Sequence, residues 1–381
     1  MNPPIRRSTA SRVAAALAVL ALALSVAAVS TADPAPQPGN QERVAKKKKR
    51  KKPPTTYWGA WIGSQLTGTE APYDMGAVHK FQGLVGKGLS LVEWSLPFAD
   101  CFQNPCQFFP FPAADVENVR QYGAIPVVSW ASQAIPNDVN SPDFQLSDII
   151  QGRYDNFIRS WAIQARDWGH PYFLRFDWEM NGDWFPWGEA VNGNHPGEFA
   201  VAWRHVHDIF ASVGSNNASW IWCPLAESAN SVGKLRALYP GNSYVDWTCL
   251  DAYNWGATPA NPHPWRSFKK IFIKDYTRII KKVAKRKPMI LAELGSHSEG
   301  GNKARWITKM FKNLRIDFRR VRAIIWFDVF DQRSNGVSID WPVETSPGAL
   351  AAFRRGVSKR QYRANVFGGA AASPIPPPPK G

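Results

Sequence analysis

Histidine and cysteine are scarce in this chain, with 7 and 4 among 381 residues. His79, His195, His263 and His297 stand alone, and His205 and His207 lie two apart in a helix-like stretch, so they point to different faces. Neither cysteine pair has the tight two-residue spacing of a zinc ligand set, and no histidine accompanies them. Acidic residues are outnumbered, 30 against 46 Lys and Arg, for a net charge of +16. No Gly-rich phosphate-binding turn follows the first strand-like segment, which argues against a dinucleotide-binding sheet. After residue 29, no segment is long and apolar enough to read as membrane-spanning.

What is present begins with a leader. Arg6, Arg7 and Arg12 precede the apolar run at 13–29, and Ser30-Thr31-Ala32 offers small residues for cleavage. Residues 1–32 therefore read as an export signal, and the expected protein is secreted and extracellular. At 17 residues the run nears the lower limit for a bilayer span, so an uncleaved anchor is the alternative. Residues 33–56 form a basic, proline-containing linker that cannot build a core, and 361–381 form a proline-rich tail expected to be disordered. Residues 1–52 hold 11 basic and 2 acidic side chains, a net +9, which leaves +7 for the remainder. The excess thus precedes the folded part, where a nucleic-acid enzyme would place it along a groove, and a nucleic-acid partner is not expected. The linker could touch an anionic cell surface, although a solvated spacer is the simpler reading. Cys101 and Cys106 can staple a short loop, whereas Cys223 and Cys249, in successive strand-like segments, are either bridged or merely buried.

Eighteen tryptophans are the compositional surplus, and they suggest surfaces that stack on flat ligands such as sugar rings or bases. Eight short apolar segments, at 57–63, 88–95, 124–130, 172–179, 219–226, 244–253, 288–295 and 322–330, alternate with polar loops and helix-like sequence. This repeat predicts an α/β fold, a (β/α)8 TIM barrel over 57–360, with an open doubly wound sheet as the alternative.

Chemistry in such a barrel sits where strands end. Glu93, Trp94, Trp130, Glu179, Glu227, Tyr253, Glu293, Trp326 and Asp328 lie at or near those ends. Strand periodicity over the fourth segment puts Arg175, Asp177 and Glu179 on one side and Phe176 and Trp178 on the other. Glu179, followed by Asn181 and the loop residues Trp184 and Trp187, suits a general acid, with Asn181 placed to bond a sugar hydroxyl. Glu293 ends the seventh apolar segment, and strands four and seven face each other across a barrel. Glu93, Glu227, Asp251 and Asp328 are secondary candidates for a sugar subsite or a structural network. His297, four residues past Glu293, is the one histidine placed near the cleft.

The segment Arg175-Phe176-Asp177-Trp178-Glu179-Met180-Asn181-Gly182 resembles the acid/base motif of glycoside hydrolase family 26, which reads Arg-Pro-Phe-His-Glu-Met-Asn-Gly. Ala292-Glu293-Leu294-Gly295 resembles the family's nucleophile strand. The likeness spans roughly 57–355. It implies a retaining endo-β-glycanase in which Glu293 attacks the anomeric carbon and Glu179 serves as acid and then base. It implies that Tyr253 contacts the nucleophile and that Trp326 floors the cleavage subsite. Trp178 departs from the pattern, since the family has His there, and Asp177 could supply part of the missing polar network. Substrate-binding roles are expected for Arg175, Asn181, Trp184, Trp187, Tyr253, Trp326, Trp94 and Trp130. No cofactor or metal is required, and a monomer is expected. The resemblance favours β-1,4-mannan, with mixed-linkage β-glucan and β-1,3-xylan as alternatives, and a catalytically weak polysaccharide-binding barrel stands as a different class of function.

Overall fold

A computed structural model of the protein describes residues 52–226, 230–257, 264–332, 338–366 and 372–379. The export signal, residues 33–51 of the linker, Glu227 and His263 lie outside the described residues. Among the described residues, eight barrel strands alternate with eight of the helices. The strands are β1 (Tyr57–Ile62), β2 (Leu91–Asp100), β3 (Ile125–Ile135), β4 (Tyr172–Phe176), β5 (Ala218–Trp222), β6 (Trp247–Cys249, resuming at Ala252–Asn254), β7 (Met289–Ser296) and β8 (Val321–Asp328). All are parallel to their neighbours. The ring closes where β1 pairs with β8, Tyr57 opposite Ala323, and also with β2, Gly59 opposite Leu91. The helices following each strand are α1 (Met75–Val85), α2 (Ala113–Tyr122), α3 (Asp155–Trp168), α4 (Glu198–Ser212), α5 (Val232–Ala237), α6 (Phe268–Arg278), α7 (Lys303–Ile316) and α8 (Pro347–Val357). Alternation of strand and helix in sequence is thus the (β/α)8 barrel itself.

Local chemistry sets the boundaries. The side chains of Asp74, Ser267, Asn302 and Ser346 each accept a bond from a backbone N–H in the first turn of α1, α6, α7 and α8. In α3, Ile158, Trp161, Ala162 and Ala165 are buried, the i, i+3, i+4, i+7 stripe of a helix laid on a sheet. Strands buried on both faces read as continuous apolar runs, as β7 does.

Three expectations change. The fourth strand ends at Phe176 rather than Glu179, because Asp177 and Glu179 take left-handed backbone angles, φ 41° and 54°. The sixth strand is interrupted at Leu250-Asp251. There Asp251 bonds sideways to the flanking segments, its carbonyl accepting from Ala226 N at 2.8 Å and its Oδ1 from Glu293 N at 2.9 Å. Part of the tail expected to be disordered is ordered: Ile375 is buried, its N–H donating to Ser219 Oγ and its carbonyl accepting from Trp247 Nε1, both at 2.8 Å. Thr55 Oγ1 donates to Pro378 O at 2.8 Å as well. Polar groups at the strand starts need partners, and residues 372–379 supply them across the base of the barrel.

The indoles also serve a different purpose from the one their number suggested. Trp58, Trp94, Trp130, Trp161, Trp203, Trp222, Trp247 and Trp326 are fully buried, so most of the surplus is core. Both cysteine pairs, Cys101–Cys106 and Cys223–Cys249, are disulfide-bonded. Among the described residues no helix is long and apolar enough to cross a membrane.

Candidate active site

A cavity of about 550 Å³ opens at the carboxyl ends of the strands, between the turn after β4 and the ends of β6, β7 and β8. Glu179 and Glu293 both line it, brought there by strands four and seven. Trp178, Trp184, Phe185, Tyr253, Trp255, Phe327 and Trp341 supply an aromatic wall, with Leu225 and Asp331 at the margin.

Glu293 is fixed from three directions. Arg175 NH1 donates to its Oε1 at 2.7 Å, the Tyr253 hydroxyl donates to its Oε2, and its own N–H goes to Asp251. The Arg175 guanidinium is fully buried and gathers two more carboxylates, Glu93 through NH1 at 2.9 Å and Asp251 through NH2. Three carboxylates around one cation cannot all be ionised cheaply in a dry interior. Burial accordingly pushes the Glu93 carboxyl up to about 7 despite the pull of Arg175, and it pushes Asp251 well above the ordinary range. Arg175 therefore lies beneath the cavity, not in its lining.

Glu179 stands on the turn after β4. Its N–H donates to Cys223 O at 2.7 Å and its Oε2 accepts from Trp184 Nε1 at 2.8 Å. Trp184, 45% exposed, projects from the surface beside it. Gly295 keeps this end of β7 open to the cavity wall, since a Cβ there would stand 3.1 Å from the Trp341 ring.

Several expected contacts lie elsewhere. Trp326 is buried against Trp306 and Phe353 on the helix side of β8, and Phe327, the next residue, faces the cavity with Trp341. Trp130 stacks on Trp161 at 4.4 Å between strands and helices, and Trp94, adjacent to inward-facing Glu93, is also fully buried. Strand parity explains all three, since a residue beside an inward one points to the helices. Trp187 is a buttress: its Nε1 donates to Trp178 O at 2.6 Å and its ring stacks on Phe185. Asn181 bonds both backbone groups of Leu225, at 2.8 and 2.9 Å, and Asn230 Oδ1 at 2.8 Å, tying the β4 turn to the end of β5. Asp177 points to Ser132, accepting from its N–H and Oγ at 2.8 and 2.7 Å. Asp328 accepts from Val343 N at 2.9 Å in a structural role, and His297 bonds Asp340 behind Trp341.

Phe185, Trp255, Phe327 and Trp341 were not singled out from the sequence. Trp255 was findable, two residues past Tyr253 and directly after the strand that carries it. Phe327 needed the correct parity, and Trp341 carries no local signal.

Residues 116–293 match the profile described as Glycosyl hydrolase family 26. The chain belongs to this family. Over 305 residues it is 32% identical to "Endoglucanase H" of Acetivibrio thermocellus, a match covering 78% of this chain and 30% of that protein. Over 138 residues it is 26% identical to "Beta-1,3-xylanase" of Alcaligenes sp, covering 34% and 28% respectively. The chain thus spans less than a third of the length of these curated relatives. Among solved structures, the catalytic domain of an endo-beta-1,4-mannanase of Bacillus sp. JAMB-750 superposes with a TM-score of 0.62 at 17% identity, covering 83% of this chain and 88% of that one. A likeness at that identity speaks for the barrel fold alone.

Proposed function

We propose that this chain is a retaining endo-β-glycanase that hydrolyses internal β-linkages of a polysaccharide, with β-1,4-mannan as the first substrate. The observation that carries the reading is the convergence of Glu179 and Glu293 on one aromatic-walled cavity. Their surroundings differ as their roles require. Glu293 is oriented by a guanidinium, a phenol and a backbone contact, which fixes one oxygen for attack on the anomeric carbon. Glu179 sits on a turn beside an indole N–H, where it can protonate the leaving oxygen and then activate water. Trp184, Tyr253, Trp255 and Trp341 offer faces and edges to the apolar sides of pyranose rings.

The substrate rests on relatives and fold neighbours. Family 26 mannanases recur among similar structures, which favours mannan. A β-glucan reading is supported by "Endoglucanase H", the relative matched over 305 residues, and a β-1,3-xylan reading by the shorter match. The leader at 1–32 supports secretion, and sequencing the N-terminus of the protein from culture medium tests it. We take the chain to act as a monomer on its polysaccharide.

Reducing ends released from mannan, mixed-linkage β-glucan and β-1,3-xylan identify the substrate, and the anomer first formed reports the stereochemistry. Glu179→Ala and Glu293→Ala should each lower the rate by roughly 10²-fold or more with the barrel still folded. Full activity in either variant, or an inverted product, overturns the assignment. Retained glycan binding with no hydrolysis in the parent would instead favour a binding barrel.

A further inference from the structure

The base of the barrel carries a second concave surface, and its chemistry is unlike that of the cleft. Helices α7 and α8 pack side by side at Gly356, where a Cβ would stand 2.0 Å from the Phe311 ring. The close approach leaves a groove of about 530 Å³ beside them, floored by Phe311 and Tyr362. Lys312 and Arg315 line it from α7, and Arg355 and Lys359 from α8 and the residues after it. No carboxylate lines it.

The charge imbalance extends beyond the groove. Helix α7 carries five Lys and Arg and no Asp or Glu, and residues 347–366 again carry five and none. Among the described residues, none of the four groove cations makes a side-chain hydrogen bond or an ion pair. Asp317, which feels the charge of Lys312, is taken up by Lys269 at 2.9 Å and Asn313 at 2.8 Å. Cations in the last turn of a helix are favoured by its dipole, which accounts for Arg315 and Arg355. The dipole does not account for two neighbouring helices without one compensating acid, nor for the meeting of their cations in a concavity.

We propose that this groove binds a linear, phosphate-bearing polymer. Two guanidinium forks suit phosphate oxygens bidentately, and the two ammonium groups add charge along the same path. A concave channel between helices suits a chain rather than the flat face of a bilayer. Pro53, just before β1, also lines the groove, which places it at the strand starts and away from the cavity of Glu179 and Glu293. A polymer held there anchors the barrel by its base and leaves the cleft open to glycan.

Binding of the full chain to long-chain inorganic polyphosphate, titrated from 50 to 200 mM salt, tests the proposal. The basic run at 46–52 is first replaced by serines, so that its own attraction for polyanions is removed. In that background, changing Lys312, Arg315, Arg355 and Lys359 together to Gln should weaken binding about 100-fold and reduce the salt slope by about 3, at roughly 0.7 per lost contact. Hydrolysis of soluble glycan should be unchanged, which shows that the barrel has folded. Changing the exposed Lys80, Arg159, Arg166 and Lys270 to Gln should weaken binding less than tenfold. Equal losses in both quadruple variants, an unaltered slope in the first, or binding to phosphatidylglycerol vesicles but not to polyphosphate each overturns the proposal.

Discussion

Replacing Glu93 by Gln removes one titration from the buried cluster around Arg175. Glu93 is fully buried; its Oε1 accepts from Ser129 Oγ at 2.7 Å and Arg175 NH1 at 2.9 Å, while its Oε2 is buried without a partner. Burial raises its carboxyl from 4.5 to about 7. A raised carboxyl means that the folded chain holds this proton more tightly than the unfolded chain. Its contribution to stability is therefore complete below pH 4.5 and is lost as pH climbs to 7. A rise of that size, at about 1.4 kcal/mol per pH unit, amounts to roughly 3 kcal/mol across the window. A glutamine has no such proton to lose. Unfolding in urea at intervals from pH 4.5 to 8 should show the Glu93→Gln stability rising relative to the parent by about 3 kcal/mol up to pH 7, then running parallel. The new amide N–H₂ lacks an acceptor at the Oε2 position and costs about 1–3 kcal/mol, but this offset is the same at every pH. Asp177, raised to about 8, titrates in both proteins and cancels in the difference. Parallel curves over the whole range would refute the reasoning.

Tyr253→Phe removes the phenol bond to Glu293; a bond to a charged group contributes about 1.5–3 kcal/mol, so kcat/KM should fall roughly 10- to 150-fold on the substrate that the panel identifies, and a change under twofold would contradict the contact. Cys223→Ala with Cys249→Ala opens a loop of 26 residues and should cost about 3.5 kcal/mol in urea unfolding, by the loop-closure estimate. Ending the chain after residue 371 removes the buried Ile375 and its two bonds, so stability should drop by about 2–4 kcal/mol with turnover unchanged at 25 °C. Lost turnover in a folded truncated protein would contradict the placement of this segment at the far end from the cavity.

The barrel was legible because its signal is repeated eight times, and an error of a few residues at any strand end leaves the count intact. Glu293 was legible for a related reason: one carboxylate at the end of an apolar strand has few places to go except the rim. The aromatic wall was harder to read. Trp326 and Phe327 are equally apolar, and only the parity of β8 decides which of them meets the cavity. Trp341 follows a short hairpin strand, Ser338–Asp340, whose position depends on contacts such as His297 with Asp340 from a different part of the chain. The ordered tail escaped because proline-rich sequence says how little core it can make, not whether a barrel base has unpaired groups waiting for it.

The turn after β4 combines both kinds of legibility. The motif residues Arg175, Glu179 and Asn181 stand out at once, but simple alternation puts Asp177 toward the cavity and Trp178 away from it. The left-handed angle at Asp177 reverses that order. Asp177 turns to Ser132, and Trp178 swings over the cavity floor, where the Arg175 guanidinium lies 4.8 Å from its ring. Trp178 is only 6% exposed, so its indole covers the cation that holds Glu293. A flat apolar lid of this kind keeps water from the ion pair and lowers the local dielectric, which strengthens the pull of Arg175 on Glu293. The residue that departs most from the family motif thus lies over the cation that holds the carboxylate opposite it, an arrangement that no reading of the motif along the chain would show.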